Sequence, residues 1–208
     1  MQSNLYRSIE LLIIFVLVPV RFAMPYSPWI KLGIGLAGFI YVILVLLRVE
    51  KNKFKLARNL NWKEFWKRTF LHLLFIVIIT ITYVWFSDKT QLFNVMLGNS
   101  KLWLFILFFY SAFSVYPQEL IYRTFFFQRY QILFKNDKLL IFVNAILFSL
   151  AHIFFGNTLV MFLTFIGGIM FAHTFYKTKS TLMVSIEHAI YGCWLFTVGM
   201  GSMLGFPS

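Results

Sequence analysis

Residues 32–47 read LGIGLAGFIYVILVLL, an apolar stretch without one charged side chain. With Ile30 and Lys31 ahead of it, the run approaches the roughly 20 residues that a helix needs to cross the hydrocarbon core of a bilayer. Backbone groups in lipid must be satisfied internally, and an α-helix does this within one segment. The run therefore predicts a transmembrane helix, and the rest of the chain repeats the pattern. Further apolar runs lie at about 9–25, 68–86, 101–134, 139–155, 158–176 and 180–200. The predicted fold is all-α: a polytopic transmembrane helix bundle with about seven spans, within a range of six to eight. The 9–25 run is read as the first span rather than a cleaved leader. It is long, only Arg7 precedes it, and no small-residue cleavage site follows.

Composition agrees. Of 208 residues, 60% are hydrophobic and 21% aromatic, and only 12% are charged. Soluble domains carry about a quarter charged residues. A net charge of +12 on a soluble chain would suggest nucleic acid. Here nucleic acid is not expected as a partner, because Lys and Arg collect in cytoplasmic loops of membrane proteins. The single cysteine, Cys193, excludes an internal disulfide and a Cys-based metal site.

The breaks between runs set the topology. Pro25 and Pro28 separate the first two. The segment 48–68 holds Arg48, Lys51, Lys53, Lys55, Arg58, Lys63, Lys67 and Arg68. With the N-terminus inside, this loop and the turns at 135–138 and 177–180 fall in the cytoplasm, as the positive-inside bias requires. The basic loop could also meet anionic lipid heads. The 101–134 run is too long for one straight span, and Pro117 is expected to kink or divide it. The chain is thus read as N-terminal helices and basic loop over 1–100, and a helix core bearing the chemistry over 101–208.

In the first three runs Arg21 is read as the lone ionisable group, close enough to a membrane end to snorkel. The last four runs are marked by Glu119, Arg123, His152, His173, Glu187 and His188. Ionisable groups are costly in a bilayer and normally face a protein interior or a wet cavity. Counting from the 135–138 turn at 1.5 Å per residue, Glu119 and His152 both lie roughly 24 Å along their helices. His188 lies roughly 15 Å past the next cytoplasmic turn. A glutamate and two histidines could therefore meet inside the membrane. Such a set can take a proton from water and stabilise an oxyanion. It could equally bind zinc with one open position.

The three motifs in order are Pro117-Gln118-Glu119-Leu120-Ile121-Tyr122-Arg123, then Phe148-Ser149-Leu150-Ala151-His152, then Ser185-Ile186-Glu187-His188. This arrangement resembles the CAAX-protease and bacteriocin-processing family of intramembrane peptidases, also called CPBP or Abi. That family carries Glu-Glu-x-x-x-Arg, then Phe-x-x-x-His, then a later His with Asn or Asp nearby. The resemblance covers about 100–200 and leaves the first three runs outside. It matches Glu119 and Arg123 to the second Glu and the Arg, His152 to the second motif, and His188 to the later one. Two positions depart. Gln118 stands where the family's first Glu, usually assigned as the base, would be. Gly192 stands four after His188, where Asn or Asp is usual. An amide cannot act as a base. Either Glu119 with a histidine has taken over, or the site binds without cutting.

Structural roles are weighed beside these. Glu119 and Arg123, four apart, share a helix face and can pair. His152 could simply bond a facing helix. His173 is read as interfacial or packing, and Glu187 as a partner to another polar group. Gly167 and Gly168 are expected to allow close helix packing. Phe125, Phe126 and Phe127 are read as lipid-facing or core surface. The functional expectation is an intramembrane endopeptidase acting on a membrane protein or peptide, with Glu119 and His152 activating water. Gln118 is its polar helper, His188 its oxyanion or water-orienting group, and Arg123 holds Glu119. The resemblance implies a metal-independent mechanism with no cofactor; zinc on Glu119, His152 and His188 is the rival. It also implies a multi-pass protein of a cell membrane, in particular a bacterial inner membrane. The alternatives are a binding or scaffold protein of the same family and a small proton-coupled transporter. The absence of an inverted repeat counts against the transporter.

Overall fold

A computed structural model describes residues 3–53 and 60–205. Lys55 and Arg58 of the basic loop lie outside the described residues. The described residues are 85% helical and contain no strand. Among the described residues six helices are long and apolar enough to cross a membrane. We name α1 the helical stretch Asn4–Leu12, which continues through a π-helical turn Ile13–Leu17 into Val18–Phe22. Helix α2 is Pro28–Arg48 and α3 Trp62–Asp88. Helix α4 is Ser100–Leu133, α5 Asp137–Leu150, α6 Thr158–Thr178 and α7 Thr181–Val198. With α1, the bundle has about seven spans, so this is a multi-pass membrane protein.

Local chemistry sets where these helices start. Asparagine caps four of them. Asn61, Asn99, Asn136 and Asn157 each accept a hydrogen bond from a backbone N–H of the first turn, at 2.8–3.2 Å. A side-chain acceptor there satisfies one of the orphan donors of a helix end. Pro28 opens α2, where its missing N–H costs nothing. Large apolar side chains remain exposed along the helices, among them Phe70, Phe75, Ile78, Ile79, Trp85 and Phe86 of α3. In water such a face would demand a partner; in a bilayer, lipid tails cover it.

Pro117 does not divide α4. The helix runs unbroken, with π-helical turns Tyr110–Val115 and Leu120–Phe125 on either side of Tyr116–Glu119. Such bulges absorb the hydrogen bond that a helical proline cannot make. The boundary between two packing units also falls at Pro117. One unit is Met1–Leu56 with Gln118–Thr181; the other is Ala57–Pro117 with Leu182–Ser208.

In the first unit the aromatic core is Phe15 against Tyr122, Phe125, Phe126 and Tyr130, at ring separations of 5.1–6.3 Å. Each pair contributes about 0.5–1.5 kcal/mol beyond burial itself. This corrects the lipid-facing option for Phe125, Phe126 and Phe127: all three are buried. Helices α5 and α6 meet at Gly168, where an added Cβ would sit 3.0 Å from Ala145 Cα. Gly167 instead faces Phe171 of its own helix. In the second unit, Ile106, Tyr110, Val115 and Phe196 form a buried cluster. Two tryptophans there donate to threonines: Trp194 to Thr80 at 2.8 Å and Trp103 to Thr197 at 3.0 Å.

Candidate functional site

Glu119 closes the short α-helical step between the two π turns of α4 and has no exposed surface. One turn on, Arg123 is also fully buried, and its Nε lies 3.3 Å from Glu119 Oε2. The four-residue spacing thus places the pair on one face. Arg123 Nη1 donates to Asn144 Oδ1 of α5 at 2.8 Å. Asn144 Nδ2 in turn donates to the Tyr122 carbonyl at 2.7 Å. An apolar helix surface supplies few partners, so this amide anchors α5 to α4 and the guanidinium to both. The guanidinium lies over the Phe148 ring, 4.6 Å from its centroid. Cations favour such π faces when desolvated.

Phe148 links this group to His152. The Phe148 carbonyl is 2.8 Å from His152 Nδ1, and the two rings are 4.9 Å apart. With Nδ1–H donating to the carbonyl, the neutral ring presents its lone pair at Nε2. His152 itself is half-buried and stands two residues past the end of α5, before a short 3₁₀ turn Ile153–Phe155. Glu119, Arg123, Asn144, Phe148 and His152 therefore form one connected set within the first unit. Gln118 is half-buried beside Glu119. The set offers a carboxylate and an imidazole as proton acceptors, with a guanidinium holding the carboxylate.

His188 belongs to the second unit, on α7, and is buried. Its Nε2 is 3.1 Å from the Tyr110 hydroxyl. Glu187, fully buried, accepts from the Tyr191 hydroxyl at 3.0 Å and lies 3.8 Å from His72 Nδ1. His173 is exposed. Within either unit the described residues include no group of three His, Cys, Asp or Glu side chains that could hold a metal ion.

Residues 100–194 match the family model described as type II CAAX prenyl endopeptidase Rce1-like. That match covers less than half of the chain, the part that carries the three CPBP-like motifs. Among curated proteins and among solved structures, none matches significantly. The matched stretch begins at the first residue of α4 and ends four short of the last residue of α7. It therefore includes all three motifs, both departures at 118 and 192, and the Asn144 anchor.

Several polar residues escaped the sequence reading. Arg21 is not the lone ionisable group of the first three runs, since Glu10 and His72 lie there too. The fourth run likewise holds Arg129. Glu10 and Arg129 are buried against each other, with Arg129 Nε 2.7 Å from Glu10 Oε2. Asn144 had an available signal: it is a lone amide in an apolar run, eight residues before His152. Tyr110 had none, because its tie to His188 joins residues 78 apart.

Proposed function

We propose that this protein is an intramembrane endopeptidase that hydrolyses a peptide bond of a membrane-embedded or membrane-adjacent substrate by Glu/His activation of water. One observation carries the reading. A fully buried glutamate is held by an arginine, and that arginine packs on the phenylalanine whose carbonyl fixes His152. Ionisable side chains that deep are costly, and a connected set of them marks function by default. The match of residues 100–194 to a peptidase family model supports the same reaction class.

In this reading the Glu119 carboxylate, with the His152 Nε2 lone pair, accepts a proton from water. The water oxygen bonds to the scissile carbonyl carbon, the C–N bond breaks, and the proton passes to the leaving nitrogen. Arg123 positions Glu119. Gln118 can donate to the water or the carbonyl but takes no proton. The motif assigns His188 to the oxyanion or to orienting the water. No step is routed through zinc; were it bound, Glu119, His152 and His188 would be its ligands and it would polarise the water. The N-terminus inside and a bacterial inner membrane complete the proposal.

The test uses the full chain and its Glu119→Ala and His152→Ala variants in liposomes, with a pool of membrane-spanning and prenylated C-terminal peptides. Mass spectrometry reads new termini, with and without a chelator. Both variants should lose at least about 10²-fold in cleavage, the range for a general base, while keeping wild-type thermal stability. Chelator should change nothing; cleavage lost to chelator and restored by zinc would move the mechanism to the metal. Normal cleavage by a well-folded His152→Ala protein would sink the assignment. Gln118 favours a second reading, a family member that binds a partner's transmembrane segment without cutting. That reading expects the biological role to survive Glu119→Gln.

A further inference from the structure

Gly192 departs from the family pattern, and the space around it gives a reason. A Cβ built on Gly192 would fall among the Oη, Cε1 and Cζ atoms of Tyr110. The tyrosine ring therefore fills the place where a side chain at 192 would begin. That ring is held from a second side: it stands edge-on to Phe196 at 4.7 Å. Its hydroxyl ends 3.1 Å from His188 Nε2. His188 and Tyr110 are both buried, and both belong to the second unit.

We propose that Tyr110 is the positioning residue for His188, replacing from α4 the Asn or Asp that the family carries four residues after that histidine. The exchange couples two positions 82 residues apart. With tyrosine at 110, only glycine fits at 192. With a side chain at 192, the ring must leave. Gly192 is then the steric complement of a different partner for His188, not a lost function. A neutral imidazole has one donor and one acceptor nitrogen, and its tautomer follows from the bond that one nitrogen makes. A phenol clamped by Phe196 fixes the place of Nε2 and with it the ring plane, and where the phenol donates to Nε2 the imidazole proton sits on Nδ1. The kinetic consequence rests on the peptidase reading above; the pairing itself does not.

The experiment compares the full chain in liposomes with Tyr110→Phe, Gly192→Asn and the double variant Tyr110→Ala/Gly192→Asn. Tyr110→Phe keeps the ring on Phe196 and removes only the hydroxyl, so its melting temperature should stay near wild type. Its kcat should fall at least about tenfold, as expected when a catalytic histidine loses the group that orients it. Its KM should stay within about twofold, since substrate binding is untouched. Gly192→Asn alone should lose cleavage by displacing the ring. The double variant should return to within about threefold of wild type, which is the non-additivity of coupled neighbours. Wild-type kcat in Tyr110→Phe overturns the proposal, as does a double variant no better than Gly192→Asn. A second readout needs no substrate: the ¹⁵N resonance of His188 Nε2 in ring-labelled protein, identified by its loss in His188→Gln. Displacement of that resonance in Tyr110→Phe upholds the pairing, and an unmoved resonance overturns it. A wild-type chain that cuts nothing defeats the peptidase reading alone, and the resonance then decides this one.

Discussion

Arg123 and Arg129 lie six residues apart on the same helix, and neither has exposed surface. Their surroundings differ. Three Arg129 nitrogens face carboxylates: Nε and Nη2 bond Glu10 at 2.7 and 3.1 Å, and Nη1 bonds Glu50 at 3.0 Å. Glu10 also accepts from the hydroxyls of Tyr130 and Tyr41. Such a cluster ties α1, the residue pair after α2 and the end of α4 into one body. Arg123 has one carboxylate at 3.3 Å, a neutral amide at 2.8 Å and an aromatic face. Two carboxylates surround the first arginine on short bonds; the second holds one carboxylate at longer range, on the way to a histidine. In the same solvent, the first arrangement spends its charge on the scaffold, and the second holds the carboxylate that the proposed reaction uses.

The largest expected effect follows from removing the saturated arginine. Arg129→Met leaves Glu10 and Glu50 without their cation in a low-dielectric interior. Breaking a buried ion pair by deleting one partner costs about 3–5 kcal/mol. The variant should therefore unfold well before wild type in detergent micelles, and any cleavage should vanish together with the fold. A stable Arg129→Met protein would erase the contrast between the two arginines.

Arg123→Lys should do less to the fold and more to the reaction. Lysine keeps the charge beside Glu119 but lacks the planar fork that reaches Asn144 as well. We expect a stability loss of about 1.5–3 kcal/mol, the scale of one charged hydrogen bond, with kcat lower by about tenfold and KM little changed. A cycle with Asn144→Ala sharpens this, because contacting residues couple by about 0.5–3 kcal/mol. Additive losses in that cycle would mean that Arg123 and Asn144 act separately.

The contrast also explains what could be read from the chain alone. Apolar runs, Asn136, Asn157 and Pro28 mark helices through local chemistry, and the structure places helices there. The Glu119–Arg123 pair is local as well, one turn apart on one face. The Glu10–Arg129 tie spans 119 residues and the Tyr110–His188 tie 78. No periodicity announces such partners. The Phe125–Phe127 stretch shows the same limit: in a membrane protein an apolar residue suits lipid and core equally, so hydropathy alone does not sort the two. Gly192 was visible as a departure, but its cause sits on another helix.

The smallest expected effect discriminates most finely between cutting and binding. Gln118→Glu installs the first carboxylate of the Glu-Glu-x-x-x-Arg motif that the sequence resembles, next to Glu119 in the α-helical step Tyr116–Glu119. Successive residues on a helix point about 100° apart, so the new carboxylate would not share Arg123 on Glu119's face. If Glu119 is already the base, the added group duplicates a role that is filled. Cleavage should then change by less than about threefold, a difference under 1 kcal/mol in barrier height. If Gln118 instead marks a site that has lost its base, the wild-type chain should be silent and Gln118→Glu should switch cleavage on. That second result would make Glu119 the structural partner of Arg123, as Glu10 is of Arg129, and the two arginines would no longer differ in kind. Adding Glu119→Gln to Gln118→Glu completes the argument. Cleavage that survives there belongs to position 118, and cleavage that disappears belongs to Glu119.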